Sequence, residues 1–365
     1  MKIYDCACGA TLFFENVQCL SCRRELGFLP DRQTLSALEP GSAPETWQAL
    51  AVKASYRKCQ NYARERVCNW LVALGDDSPF CVACRLNETI PDLSAPGNRV
   101  AWAKLEAAKR RLVYSLLALK LPIVGRAQAP ENGLAFAFLR DAPAGDAAGK
   151  PVMTGHANGL ITINAIEAND ADREEVRERL HERYRTLLGH FRHEIGHYYW
   201  TKLVEGSEWL APFRALFGDE REDYGAALQR HYTNGPAPDW QKNHISVYAS
   251  AHPWEDWAET WAHYLHIIDT IETAAAFGVK SSGKAKDRID EHLFPSEELR
   301  AAPRSESAEL ASILRDWVWL TLATNSINRS MGMRDVYPFV LNAGVVAKLQ
   351  LVHAIILRAG ASASK

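Results

Sequence analysis

The 365-residue sequence predicts an α+β chain in two parts: an N-terminal Cys-rich zinc-ribbon module over 1–95, then a mostly helical domain with a small β-sheet over 96–365. Three observations carry this prediction. All eight cysteines lie at or before Cys84. One stretch, Leu134 to Ala165, carries strand and hairpin signals. From Asp172 onward, apolar residues recur mostly at helical spacing. The length allows two or three domains at roughly 100–200 residues each.

Composition narrows the function classes. A hydrophobic fraction of 47% and a charged fraction of 24% are ordinary for a globular protein and exclude a disordered or fibrous chain. A formal net charge of -2 argues against nucleic-acid binding by the whole chain. No run reaches the ~18–20 uninterrupted apolar residues of a membrane span, so no membrane association is expected. The opening MKIYDCACG lacks the apolar core of ~7–15 residues of a signal peptide, so the expected location is cytoplasmic. Disulfides are rare there, and closely spaced cysteines read as metal ligands.

The N-terminal module comes first. Cys6-x-Cys8 and Cys19-x-x-Cys22 form two tight knuckles, and the segment between them reads as half of a β-hairpin. Four thiolates so placed can surround one tetrahedral Zn²⁺, which suits a zinc ribbon. Metal binding would also offset a core too small to fold alone. Cys59, Cys68, Cys81 and Cys84 form a second quartet, in which only the last pair is a knuckle. One or two structural zinc ions are therefore expected. The pairing stays open between sequential quartets and an interleaved arrangement. A zinc held by four cysteines has no open position, so these sites are expected to be structural.

A helix is predicted from about Val100 to Lys120, stopped near Pro122, with Trp102, Leu105, Leu112, Leu116 and Leu119 at helical spacing. Its basic residues within 99–120 are expected on a solvated face. They, or the zinc ribbon, could instead dock a protein partner. Leu134–Leu139 reads as a strand, and Val152–Ala165 as a hairpin turning at Asn158-Gly159. Asp141–Lys150 and Ser281–Lys286 read as loops.

The helical part contains His193-Glu194-Ile-Gly-His197. On a helix the two histidines lie one turn apart on one face and can reach one Zn²⁺. Glu194 beside them can take a proton from activated water. A catalytic zinc needs a third protein ligand. Downstream, Glu255 and Glu259 are i and i+4 on a helix that Pro253 can start. One could ligate while the other hydrogen-bonds a ligating histidine. Asp256 and His263 on the same helix are alternatives.

HExxH followed by Tyr-x6-Glu-x3-Glu, here Tyr248, Glu255 and Glu259, resembles the gluzincin metallopeptidases related to the catalytic domain of anthrax lethal factor. The resemblance implies His193, His197 and Glu255 as ligands of one catalytic zinc. It also implies Glu194 as general base, Tyr248 as hydroxyl donor to the oxyanion, and Glu259 as support for a ligand. A closer resemblance covers nearly the whole chain. Cys6-x-Cys8, Leu12–Asn16, Cys19-x-x-Cys22, Cys81-x-x-Cys84 with Arg85–Asn87, Gly155-His156, Gly189–His197 and Tyr248-Ala249 are similar to bacterial zinc-binding metallopeptidases with an N-terminal zinc ribbon. The implied fold is zincin-like, the activity peptide hydrolysis, and the partner a protein or peptide substrate. Two alternatives remain: a zinc-ribbon scaffold for protein or nucleic acid, and a hydrolase of non-peptide amides.

Overall fold

The computed structural model describes residues 2–140, 152–179, 182–279 and 306–362. The loops expected at Asp141–Lys150 and Ser281–Lys286 lie outside the described residues. Contacts group the chain into two units, Met1–Phe191 and Arg192–Lys365.

In the first unit, β1 (Tyr4–Asp5) and β2 (Thr11–Leu12) form a short antiparallel pair. Five antiparallel strands follow in sequence order: β3 (Leu26–Leu29), β4 (Thr34–Pro40), β5 (Thr46–Ala49), β6 (Ala54–Lys58) and β7 (Leu71–Ala73). The Phe28 amide donates to the Asn69 carbonyl at 2.8 Å, which brings the first strand of this sheet beside the start of the last. The sequence reading found only turns and short apolar runs here. The strands are short, and every residue of β3 is buried, so the two-residue alternation that marks a half-buried strand is missing. Phe14, Phe28, Trp70 and Tyr114 make the aromatic core, with centroids 4.9 Å apart for Phe28–Trp70 and 5.3 Å for Phe14–Tyr114.

Tyr114 belongs to α1 (Asn98–Ala118), the predicted basic helix. Two of its cations leave the expected solvated face: Lys109 and Arg110 are buried, whereas Arg99 and Lys104 are exposed. Glu106 and Lys109 are both fully buried, with Lys109 Nζ 2.8 Å from Glu106 Oε1. Arg110 Nη1 donates to the Val67 carbonyl at 2.5 Å. Lys104 pairs with Asp170, Arg99 with Glu65 and Arg111 with Glu15. The reason is packing on two sides. The aromatic core takes one side of α1, and Phe136 and Phe138 of a second sheet lie beside Lys109 on another. A charge trapped between two packed layers must find its partner inside.

That second sheet has the order β10-β11-β9-β8. It comprises β8 (Asn87–Thr89), β9 (Ala135–Leu139), β10 (Gly155–Ala157) and β11 (Leu160–Asn164). β9 runs parallel to both β8 and β11. The expected hairpin is β10–β11, turning through Asn158 and Gly159 at φ 47° and 81°. Two consecutive positive φ values are what an Asn-Gly turn supplies. α2 (Asp170–Arg179) follows.

The second unit is helical among the described residues. α3 (Leu187–Tyr199), inside which the division falls, is followed by α4 (Leu210–Phe217), α5 (Tyr224–Asn234), α6 (Pro253–Ala276), α7 (Glu306–Ser330) and α8 (Ala343–Ser362). α8 is long and apolar enough to cross a membrane by length and composition, but 56% of its window is buried within the protein. Its Lys348 reaches Asp256 of α6 at 2.5 Å, and its His353 pairs with Tyr264 of α6 at 2.8 Å. These are the contacts of a core helix.

Candidate metal centres and active site

The start of α6 is fixed by local chemistry. His252 sits in extended backbone as N-cap and accepts the Trp254 amide, and Pro253 occupies the first turn. Glu255 and Asp256 follow in that turn, where the helix dipole favours carboxylates.

α6 lies close against α3. A Cβ at Gly196 would sit 3.0 Å from Ala258 Cα and 3.1 Å from Trp261 Cβ. Trp257 Nε1 donates to the Gly196 carbonyl at 2.9 Å, and Tyr199 stacks on Trp261. The approach is possible because two small residues face each other with tryptophans on either side. It brings the first turn of α6 to the histidine face of α3.

Three donor atoms converge there. His193 Nε2 lies 2.9 Å from Glu255 Oε2 and 3.2 Å from His197 Nε2, and His197 Nε2 lies 3.6 Å from Glu255 Oε2. Ligands at ~2.0–2.1 Å from a tetrahedral ion stand about 3.3–3.4 Å apart. The observed triangle brackets that value, so this donor set fits one zinc ion. The charges agree. Burial opposes charge on His193, yet Glu255 and Glu259 hold its pKa well above the usual histidine value. Burial likewise opposes charge on Glu255, but His197 and His193 hold its pKa well below the usual carboxylate value. The histidines and carboxylates of the cluster thus favour each other's charged forms.

The surrounding groups orient the donors. Glu259 Oε1 lies 2.8 Å from His193 Nδ1, and Ser246 Oγ donates to Glu259 Oε2 at 2.6 Å. An imidazole held at Nδ1 presents Nε2 to the metal in one orientation. Despite burial, the bond to His193 draws the Glu259 pKa down to about 2. Tyr224 donates to Glu255 Oε1 at 2.7 Å. The Tyr248 ring lies 5.9 Å from that of His193, and burial, reinforced by the Glu255 charge, pushes its hydroxyl pKa far up. Glu194 is buried on α3, near enough for its charge to raise the pKa of both Tyr224 and Tyr248.

The structure therefore gathers His193, His197, Glu255, Glu259, Tyr248 and Glu194 around one point. It sends the alternatives elsewhere. Asp256 Oδ2 is held by Lys348 and by His244 Nδ1. His263 Nδ1 meets the Tyr337 hydroxyl at 2.7 Å, and burial lowers its pKa to about 4. His190 pairs with Glu167, and His156 Nε2 accepts the Gly159 amide within its own turn. Tyr224 and Ser246 were missed by sequence reasoning. Neither falls in the HExxH pattern or at a helical interval from it, so no spacing signal pointed to them.

The eight cysteines pair sequentially. Cys6, Cys8, Cys19 and Cys22 form one quartet, and Cys59, Cys68, Cys81 and Cys84 the other. Sulfur separations are 3.6 Å for Cys6–Cys22, 3.7 Å for Cys8–Cys19 and 3.9 Å for Cys68–Cys81. A disulfide would require about 2.05 Å, whereas four sulfurs at ~2.3 Å from a tetrahedral ion stand about 3.8 Å apart. Both quartets fit zinc. They differ in surroundings: Cys8 is exposed in the first, and all four are buried in the second. Cys84 Sγ donates to Glu106 Oε2 at 3.7 Å. Burial opposes charge on Arg110, but Cys68, Glu106, Cys84 and Cys81 keep it charged beside the sulfurs.

Comparison with known proteins agrees with this layout. A family model described as "Putative zinc-binding metallo-peptidase" matches residues 98–355, and a zinc-ribbon domain matches residues 3–95. Uncharacterized proteins of Mycobacterium bovis and of two Mycobacterium tuberculosis strains are each 41% identical over 98% of this chain and 95% of their own length. No solved structure matches the chain. The chain belongs to this zinc-binding metallopeptidase family.

Proposed function

We propose that this member of the family is a gluzincin-type peptidase, in which His193, His197 and Glu255 hold one catalytic Zn²⁺ and the two quartets hold one structural Zn²⁺ each. The observation that carries the reading is the convergence of His193 Nε2, His197 Nε2 and Glu255 Oε2 at 2.9–3.6 Å, with Glu259 on the far nitrogen of His193. When bound, the ion supplies Lewis-acid polarisation of the scissile carbonyl and acidifies water.

The chain's own residues do the rest. Glu194 takes a proton from the attacking water and returns it to the leaving amine. Tyr248 stays protonated because burial and the Glu255 charge oppose its ionisation, so it can donate to the oxyanion. One such donor is worth about 3–4 kcal/mol in comparable sites. Glu259 fixes the tautomer and plane of His193.

The test is Glu194→Gln. Zinc content should stay at the parent value while peptide cleavage falls about 10²–10⁴-fold, the range for loss of a general base. Parent-level cleavage by this variant would refute the mechanism. Profiling by mass spectrometry against peptide and non-peptide amide libraries checks the substrate class.

A further inference from the structure

We propose that Tyr224 is a positioning residue for the metal centre, holding one oxygen of Glu255 so that the other, Oε2, stays turned toward His193 and His197. This rests on the site reading above and deepens it. The two oxygens of Glu255 face different partners. Oε2 points into the triangle with His193 and His197, at 2.9 and 3.6 Å. Oε1 accepts the Tyr224 hydroxyl at 2.7 Å.

A carboxylate free to rotate would lose the orientation that presents Oε2 to the two histidines. What holds it is a phenol on a different helix. Tyr224 is the first residue of α5, whose N-cap Asp223 accepts the Ala226 amide, so the phenol is carried by a capped helix rather than a free loop. The Tyr224 ring also meets the rings of His252 and Trp254, at 5.2 and 6.3 Å. Those two residues flank Pro253 at the start of α6. Tyr224 thus contacts both the carboxylate and the turn that presents it.

The residue is 40% exposed, so its packing contribution is modest and its hydroxyl carries the effect.

The test is zinc affinity, read independently of cleavage by chelator competition on the full chain. Tyr224→Phe removes the hydroxyl and keeps the ring. The most weakly held zinc equivalent should dissociate about 10-fold more readily, the lower end of the effect of removing a group that orients a ligand. The melting temperature of protein stripped of that one equivalent should match that of parent stripped in the same way. Tyr224→Leu, which also removes the ring contacts to His252 and Trp254, should weaken zinc at least as much. Parent-like affinity in Tyr224→Phe overturns the proposal. So does a parallel drop in the stripped protein's melting temperature, which would mark a structural role. Glu255→Ala separates this from the site reading. If that variant keeps every zinc equivalent at parent affinity, the site itself is misplaced and both readings fall. If it loses one equivalent while Tyr224→Phe holds zinc as tightly as parent, only the role of Tyr224 falls.

Discussion

The sulfur quartets of the first unit and the histidine–glutamate triad of the second solve different problems with similar geometry. In each, the donor atoms lie within 4.8 Å of one another. The quartets offer four donors and leave a tetrahedral ion no free position. The triad offers three and leaves one. Their supports differ as well. The first quartet hangs on knuckles beside a pair of two-residue strands, which are not stable without a staple. The triad stands on two helices of 13 and 24 residues that pack through Trp257 and Trp261. On the proposed reading, a metal ion in the quartets would supply folding energy, and one in the three-donor site would keep a position open for chemistry.

The largest expected effect is on folding of the first unit. Structural zinc contributes on the order of 10–16 kcal/mol in small zinc modules. Cys81→Ser, in the buried quartet, should therefore abolish the cooperative melting transition of that unit, followed by circular dichroism. His197→Ala should do the opposite. It should remove one zinc equivalent and peptide cleavage, yet shift melting little. Equal loss of stability from both would erase the contrast.

Smaller effects sharpen it. Glu106→Gln would leave Lys109 buried beside Phe136 and Phe138 without its ion-pair partner. Breaking a buried pair costs about 3–5 kcal/mol, measurable as a lower denaturation midpoint. In the second unit, Gly196→Ala would press a methyl against Ala258 and Trp261. Overpacking of this kind costs about 1–3 kcal/mol, and the parted helices should also hold the catalytic zinc more weakly. Unchanged zinc affinity in Gly196→Ala would show that the close approach does not position Glu255.

Much of this was legible without coordinates. The HExxH face, the proline-started helix bearing Glu255 and Glu259, the Asn-Gly hairpin and the basic helix follow from local rules of spacing, capping and turn chemistry. The five-stranded sheet did not, because its strands are short and β3 and the middle of β4 are buried without alternation. The buried charges of α1 did not either. A helix packed on two sides leaves only part of its surface to solvent, and sequence periodicity does not report what lies on the far side.

The sequence by itself determined the donor types and their grouping along the chain: sulfur before residue 85, nitrogen and oxygen after residue 190. Only the tertiary structure decided that the quartets pair sequentially, that Glu255 and not Asp256 or His263 completes the triangle, and that Tyr224 and Ser246 brace it. The physical reason is distance along the chain. A ligand within one helical turn is set by backbone geometry, but partners 31 or 62 residues apart meet only through the packing of whole helices.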